Sequence, residues 1–118
     1  MERLTRREEE VMEMIWQLGS CAPKDVRAMF PDPKPHINTV ATMFQLLEKK
    51  GYLTHRPKGR GYIYTPAVKQ ESYGRGKFEQ FVRRYFGNSY MNVVSALVRE
   101  EKVSEQELTD FLDNLKKQ

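Results

Sequence analysis

A single cysteine, Cys21, stands among 118 residues. One thiol closes no internal disulfide and builds no cysteine metal cage, so it is expected as a small apolar side chain, buried or half-buried. Histidine is scarce too: His36 and His55 are not expected to cluster with acids, and no metal-ligand spacing occurs. No phosphate-cradling glycine motif is present. Glu8, Glu9 and Glu10 are expected as a solvated helix face, not a catalytic carboxylate pair. No enzyme, cofactor or metal is therefore expected. Long apolar runs are missing as well, and nothing approaches the roughly 18 residues of a membrane span. Met1-Glu2-Arg3-Leu4 runs straight into a charged helical pattern. A secretory signal is not expected, and the location expected is cytoplasmic.

What is present is globular: 39% of the residues are hydrophobic and 31% charged. The net charge of +4 is mild, so its distribution matters more than its sum. Lys49, Lys50, Arg56, Lys58 and Arg60 fall within residues 49–66 with no acid among them. Residues 67–118 carry nine basic and eight acidic side chains. A polyanion would dock on the first stretch, not the second.

Helical periodicity accounts for most of the chain. Thr5 and Glu8 make a capping box ahead of Val11, Met14, Ile15 and Leu18, widened by Met12 and Trp16, and Gly19 closes this helix. Ser20-Cys21-Ala22 is a link or minimal strand. Pro23 and Asp25 suit the start of a second helix over 23–30, with Val26, Met29 and Phe30 inward. Pro31, Pro33 and Pro35 end it. A third helix over about 35–50 puts Val40, Met43, Phe44 and Leu47 on one face, with Ile37 at its start, and Gly51 stops it. Tyr52–Arg56 and Tyr62–Thr65 flank a Pro/Gly turn and predict a β-hairpin. Helices are then predicted over 67–86, 90–100 and from Ser104 onward. The fold class is mainly α with a small β-hairpin. A winged helix-turn-helix is expected over residues 1–66 and a helical dimerisation region over 67–118.

Burying one face of the third helix turns His36, Asn38, Thr39, Thr42 and Gln45 outward. These short polar side chains fit a B-DNA major groove; Asn and Gln pair bidentately with adenine, and a threonine methyl meets that of thymine. Arg56, Lys58 and Arg60 lie at or beside the hairpin tip, suited to phosphate. The apolar stripes of the tail include Phe78, Phe81, Val94, Leu97, Leu108, Phe111, Leu112 and Leu115. Such helices must bury those stripes either on the winged helix or on a second copy. Pairing is the expected solution, giving a homodimer and a pseudo-palindromic operator in double-stranded DNA. A protein–protein adaptor is the alternative, because winged helices also dock proteins.

The run Leu4-Thr5 through Glu10-Val11-Met12 to Ile15-Trp16 resembles the start of the BlaI/MecI family of penicillinase and methicillin-resistance repressors. So do the third helix, Asn38 to Leu53, and the wing ending Gly61-Tyr62-Ile63-Tyr64-Thr65-Pro66. The likeness extends through the tail. It implies a dimeric repressor of antibiotic-resistance genes, relieved when a membrane-bound sensor protease leads to cleavage of the tail. It also matches Thr39 and Thr42 to family threonines of the recognition helix, and Arg60 to a wing base. The Asn-Phe pair cut in staphylococcal repressors falls on Ala96-Leu97 here, and the C-terminal cysteine cluster of the copper-responsive branch is missing.

Overall fold

The computed structural model describes residues 2–117. Helix α1 (Arg6–Leu18) begins on the predicted capping box. The Thr5 hydroxyl accepts from the Glu8 N–H at 3.1 Å, and the Glu8 carboxylate accepts from the Thr5 N–H at 2.8 Å. Two of the donors orphaned at a helix start are thereby satisfied. Gly19 terminates α1 at φ +80°, where its N–H reaches the Ile15 carbonyl at 2.7 Å. Helix α2 (Pro23–Met29) opens on Pro23, and Asp25 accepts from the Ala22 N–H at 2.8 Å. Helix α3 (Ile37–Lys49) is followed by strands β1 (Leu53–Lys58) and β2 (Gly61–Pro66).

The two strands are antiparallel, with His55 opposite Tyr64, Arg56 opposite Ile63 and Lys58 opposite Gly61. That register leaves Gly59 and Arg60 as a two-residue turn. Gly59, at φ +61°, takes the position where a tight hairpin turn favours glycine. Cys21 forms an isolated bridge to Tyr64, its N–H and carbonyl bonded at 2.9 and 2.7 Å. The link between α1 and α2 thus serves as a one-residue third strand that pins the base of the hairpin.

One core holds these elements together. Val11, Met12, Ile15, Val26, Val40, Phe44 and Leu47 are fully buried, and Tyr52, Leu53 and Tyr64 close it from the hairpin side. Phe44 meets the Tyr64 ring edge-on at 5.0 Å. The inward pattern differs from expectation at three positions. Leu18, Met29 and Ile37 are 42%, 37% and 38% exposed. Each lies in the first or last turn of its helix, where the chain leaves or enters the core. In the short α2, Val26 and Phe30 already fill the space toward the core.

Glu8 and Glu9 also depart from the expected solvated face. Glu8 is 5% exposed and pairs with Lys50 at 2.7 Å. Glu9 accepts a hydrogen bond from the Tyr73 hydroxyl. Tyr73 lies in the first turn of α4 (Gln70–Tyr85), with its ring against Trp16 at 5.6 Å and Tyr52 at 5.8 Å. Trp16 Nε1 donates to the Val68 carbonyl at 2.8 Å. These contacts draw the segment after the hairpin into the first compact unit, which extends to Tyr73; the second begins at Gly74.

The second unit contains most of α4, then α5 (Tyr90–Arg99) and α6 (Glu105–Lys116). Ser89 caps α5, and Ser104 with Glu107 forms a capping box on α6. Val82 is the only buried residue of this unit among those described. Its other apolar side chains are half-buried or exposed.

Candidate nucleic-acid interface

The third helix defines the site. Val40, Met43, Phe44 and Leu47 anchor it in the core. At about 100° per residue, the face opposite them is then set by geometry. Asn38, Thr42 and Gln45 fall on one stripe of that face, and all three are exposed. Thr39 is exposed on the neighbouring flank. Lys49 continues the stripe of Asn38, Thr42 and Gln45 and is exposed as well. The sequence shows Lys49 as part of the basic stretch, and its helical spacing adds it to this stripe.

Two of these polar groups are already engaged. The Thr42 hydroxyl donates to the Asn38 carbonyl at 2.9 Å. His36 is the N-cap of α3, where its Nδ1 accepts from the Asn38 N–H at 3.0 Å. The proton of the neutral ring is then on Nε2. His36 is exposed and organises the helix start besides facing outward.

The hairpin stands beside this helix. Lys58, Arg60, Gly61, Tyr62 and Ile63 share a groove of about 630 Å³ with Ile37 and Ala41 of α3 and with Ala22–Asp25 at the start of α2. Lys24, exposed at the rim, is a third cation of this groove and was not singled out from the sequence. Arg56 is exposed on β1 but does not line the groove. Lys50 must be removed from the free positive charge, because Glu8 neutralises it. Burial pushes the Glu8 carboxyl up, but hydrogen bonds from Lys50 and Thr5, with the Lys50 charge, outweigh it and hold the group below the usual carboxylate range.

His55 departs from the expectation that neither histidine clusters with acids. Its Nδ1 lies 2.8 and 2.6 Å from the two oxygens of Glu48 in the last turn of α3. The ring meets Tyr62 edge-on at 4.9 Å and Tyr64 at 5.5 Å. Burial, then the Glu48 charge, raises the Tyr64 phenol above its ordinary value. Cys21 is 3% exposed; burial, reinforced by Asp25, pushes its thiol up to about 11. It is packing, not chemistry.

The tail residues expected at a dimer interface are spread over α4, α5 and α6. Phe78, Phe81, Leu97, Phe111, Leu112 and Leu115 are exposed, and Val94 and Leu108 half-buried. Phe78 meets Tyr90 at 5.9 Å, so α4 and α5 share an aromatic surface.

Fold and surface together define a winged-helix protein of the DNA-binding class. Residues 4–117 match the penicillinase repressor family, and the chain belongs to that family of transcriptional regulators. It is similar to the penicillinase repressor of Bacillus licheniformis, with 27% identity over 103 residues, covering 86% of this chain and 80% of the relative. An uncharacterised 16.5 kDa protein from the ptsI 3′ region of Latilactobacillus sakei is 24% identical over 106 residues, covering 89% and 73% of the two chains. Among solved structures, the chain is similar to the monomeric form of Bacillus licheniformis BlaI in complex with the blaP half-operator. That likeness has a TM-score of 0.50 and 32% identity, and covers 61% of this chain and 89% of the other.

Proposed function

We propose that this repressor binds a pseudo-palindromic operator in double-stranded DNA as a homodimer, each protomer laying α3 in the major groove of one half-site. The observation that carries this reading is the exposed stripe of Asn38, Thr42 and Gln45 beside a groove bearing Lys58, Arg60 and Lys24. Base edges would be read by Asn38, Thr39, Thr42 and Gln45. His36, Arg56, Lys58 and Arg60 would hold phosphate and fix the register. Support comes from the family relative that binds a half-operator as a monomer. One winged helix then serves one half-site, and two would serve the whole.

The apolar tail surface would join the two copies, burying Phe78, Phe81, Val94, Leu97, Leu108, Phe111, Leu112 and Leu115. Relief of repression would act there: a membrane-bound sensor protease whose signal leads to cleavage of the tail would separate the protomers. Antibiotic-resistance genes are the targets that fit the family.

Selection of bound sequences from a random duplex pool tests the reading. The expected product is a palindrome with half-sites about one helical turn apart, and affinity that falls steeply with salt. Recovery of no enriched sequence, with negligible duplex affinity at any salt, would favour a protein–protein adaptor instead.

A further inference from the structure

We propose that Glu48 and His55 form a clamp that sets the hairpin at a working angle to α3, making both positioning residues for DNA binding. The proposal rests on the reading above that the hairpin tip touches phosphate.

Three elements meet at the clamp. Glu48 shares a flank of α3 with Ile37 and Ala41, the residues through which that helix lines the groove shared with the hairpin. His55 lies within β1, paired across to Tyr64. Its Nδ1 reaches both Glu48 oxygens, at 2.6 and 2.8 Å, and its ring rests on Tyr62 and Tyr64 of β2. The helix therefore holds the imidazole from one side and the second strand from the other.

The hairpin needs such a tie. Its anchorage in the core ends early, because Leu53 is the only buried residue of β1 and Tyr64 the only one of β2. A two-stranded hairpin is marginal on its own. On β1 the clamp lies two residues beyond Leu53, level with Tyr64 on β2, where the buried anchorage of the hairpin ends toward Lys58 and Arg60. With its proton on Nδ1, the His55 ring donates to the carboxylate that faces it.

An acid here also carries an electrostatic penalty. Glu48 stands at a helix C-terminus, where the macrodipole disfavours it, and next to Lys49 on a surface that meets a polyanion. Deleting it therefore has opposite consequences under the two readings. Removing a bystander charge tightens DNA binding; removing a clamp weakens it.

The experiment compares the wild type with E48A, E48Q, H55A, the E48A/H55A double variant and R60A, on a mixed-sequence duplex of about 30 base pairs over a range of salt. E48A is expected to weaken binding about fivefold and to flatten the salt dependence, despite losing a negative charge. H55A should do the same, and the double variant should be no worse than either single change. E48Q keeps an acceptor for His55 and should stay within about twofold of the wild type, or bind more tightly. E48A binding tighter than wild type, or additive losses in the double variant, would overturn the clamp. R60A separates the two readings. A salt slope unchanged by R60A removes the hairpin from the interface and the clamp with it. A slope flattened by R60A but untouched by E48A sinks the clamp alone.

Discussion

Asn38 and Thr39 sit exposed in the first turn of α3, where the proposed interface would bring them to base edges. Asn38→Ala or Thr39→Ala should cost about 1–3 kcal/mol of discrimination at the affected base, with little change on random duplex. Competition binding between the selected operator and its point variants measures this. Equal losses on both kinds of DNA would reassign those residues to phosphate. Lys50 makes a different kind of prediction. Lys50→Ala strands the buried Glu8 carboxylate and should lower unfolding stability by about 2 kcal/mol, discounted from a fully buried pair because Lys50 is partly exposed. The same pair makes stability depend on pH. The Glu8 carboxyl is lowered from 4.5 in the folded chain, so its contribution is complete above that value and is lost as pH falls through the folded one. The stability gap between wild type and Glu8→Gln should accordingly shrink in acid, as denaturant titrations at successive pH values would reveal. Cys21, with its thiol raised to about 11, should resist alkylation in the native protein near neutral pH and react readily after unfolding.

At the scale of elements, the functional helix is oriented by what it buries. Phe44 is fully buried and packs edge-on against Tyr64, so it joins α3 to the hairpin through the core. Phe44→Ala should cost about 3–5 kcal/mol, enough to unfold much of the winged helix at moderate temperature. Circular dichroism melts would show it, and a loss under 1 kcal/mol would mean that the α3–hairpin seam is looser than its packing indicates. Most element boundaries were legible because they depend on near neighbours. Thr5 with Glu8, Ser104 with Glu107, Pro23, Gly19 and Gly51 all act within a few residues of themselves, and the chain starts and stops its helices there. The exposures of Met29 and Ile37 were not legible, because a helix-end residue matches the apolar period whether or not a neighbour covers it.

For the molecule as a whole, the tail is the part left without a core of its own. Val82 is buried, yet Phe111, Leu112 and Leu115 are 58%, 48% and 48% exposed in the single chain. Placing a charge on that stripe should be costly only if a partner covers it. Leu112→Asp is expected to give a monomer with intact helices that binds a half-site weakly. Sedimentation equilibrium decides between outcomes: a variant that remains dimeric moves the pairing surface elsewhere.

The order of elements, the buried face of α3 and the identity of its outward side chains were all written locally, in apolar period, capping pairs and turn residues. Those signals act through backbone geometry and reach only a turn or two along the chain. Which charges remain free for a ligand was decided by tertiary structure. Lys50 meets Glu8 across 42 residues, and Tyr73 meets Glu9 across 64. The Glu48–His55 tie depends likewise on where β1 crosses the end of α3. One helix-surface lysine is chemically like another before folding, as is one glutamate like another, and only the packing of distant segments chooses their partners.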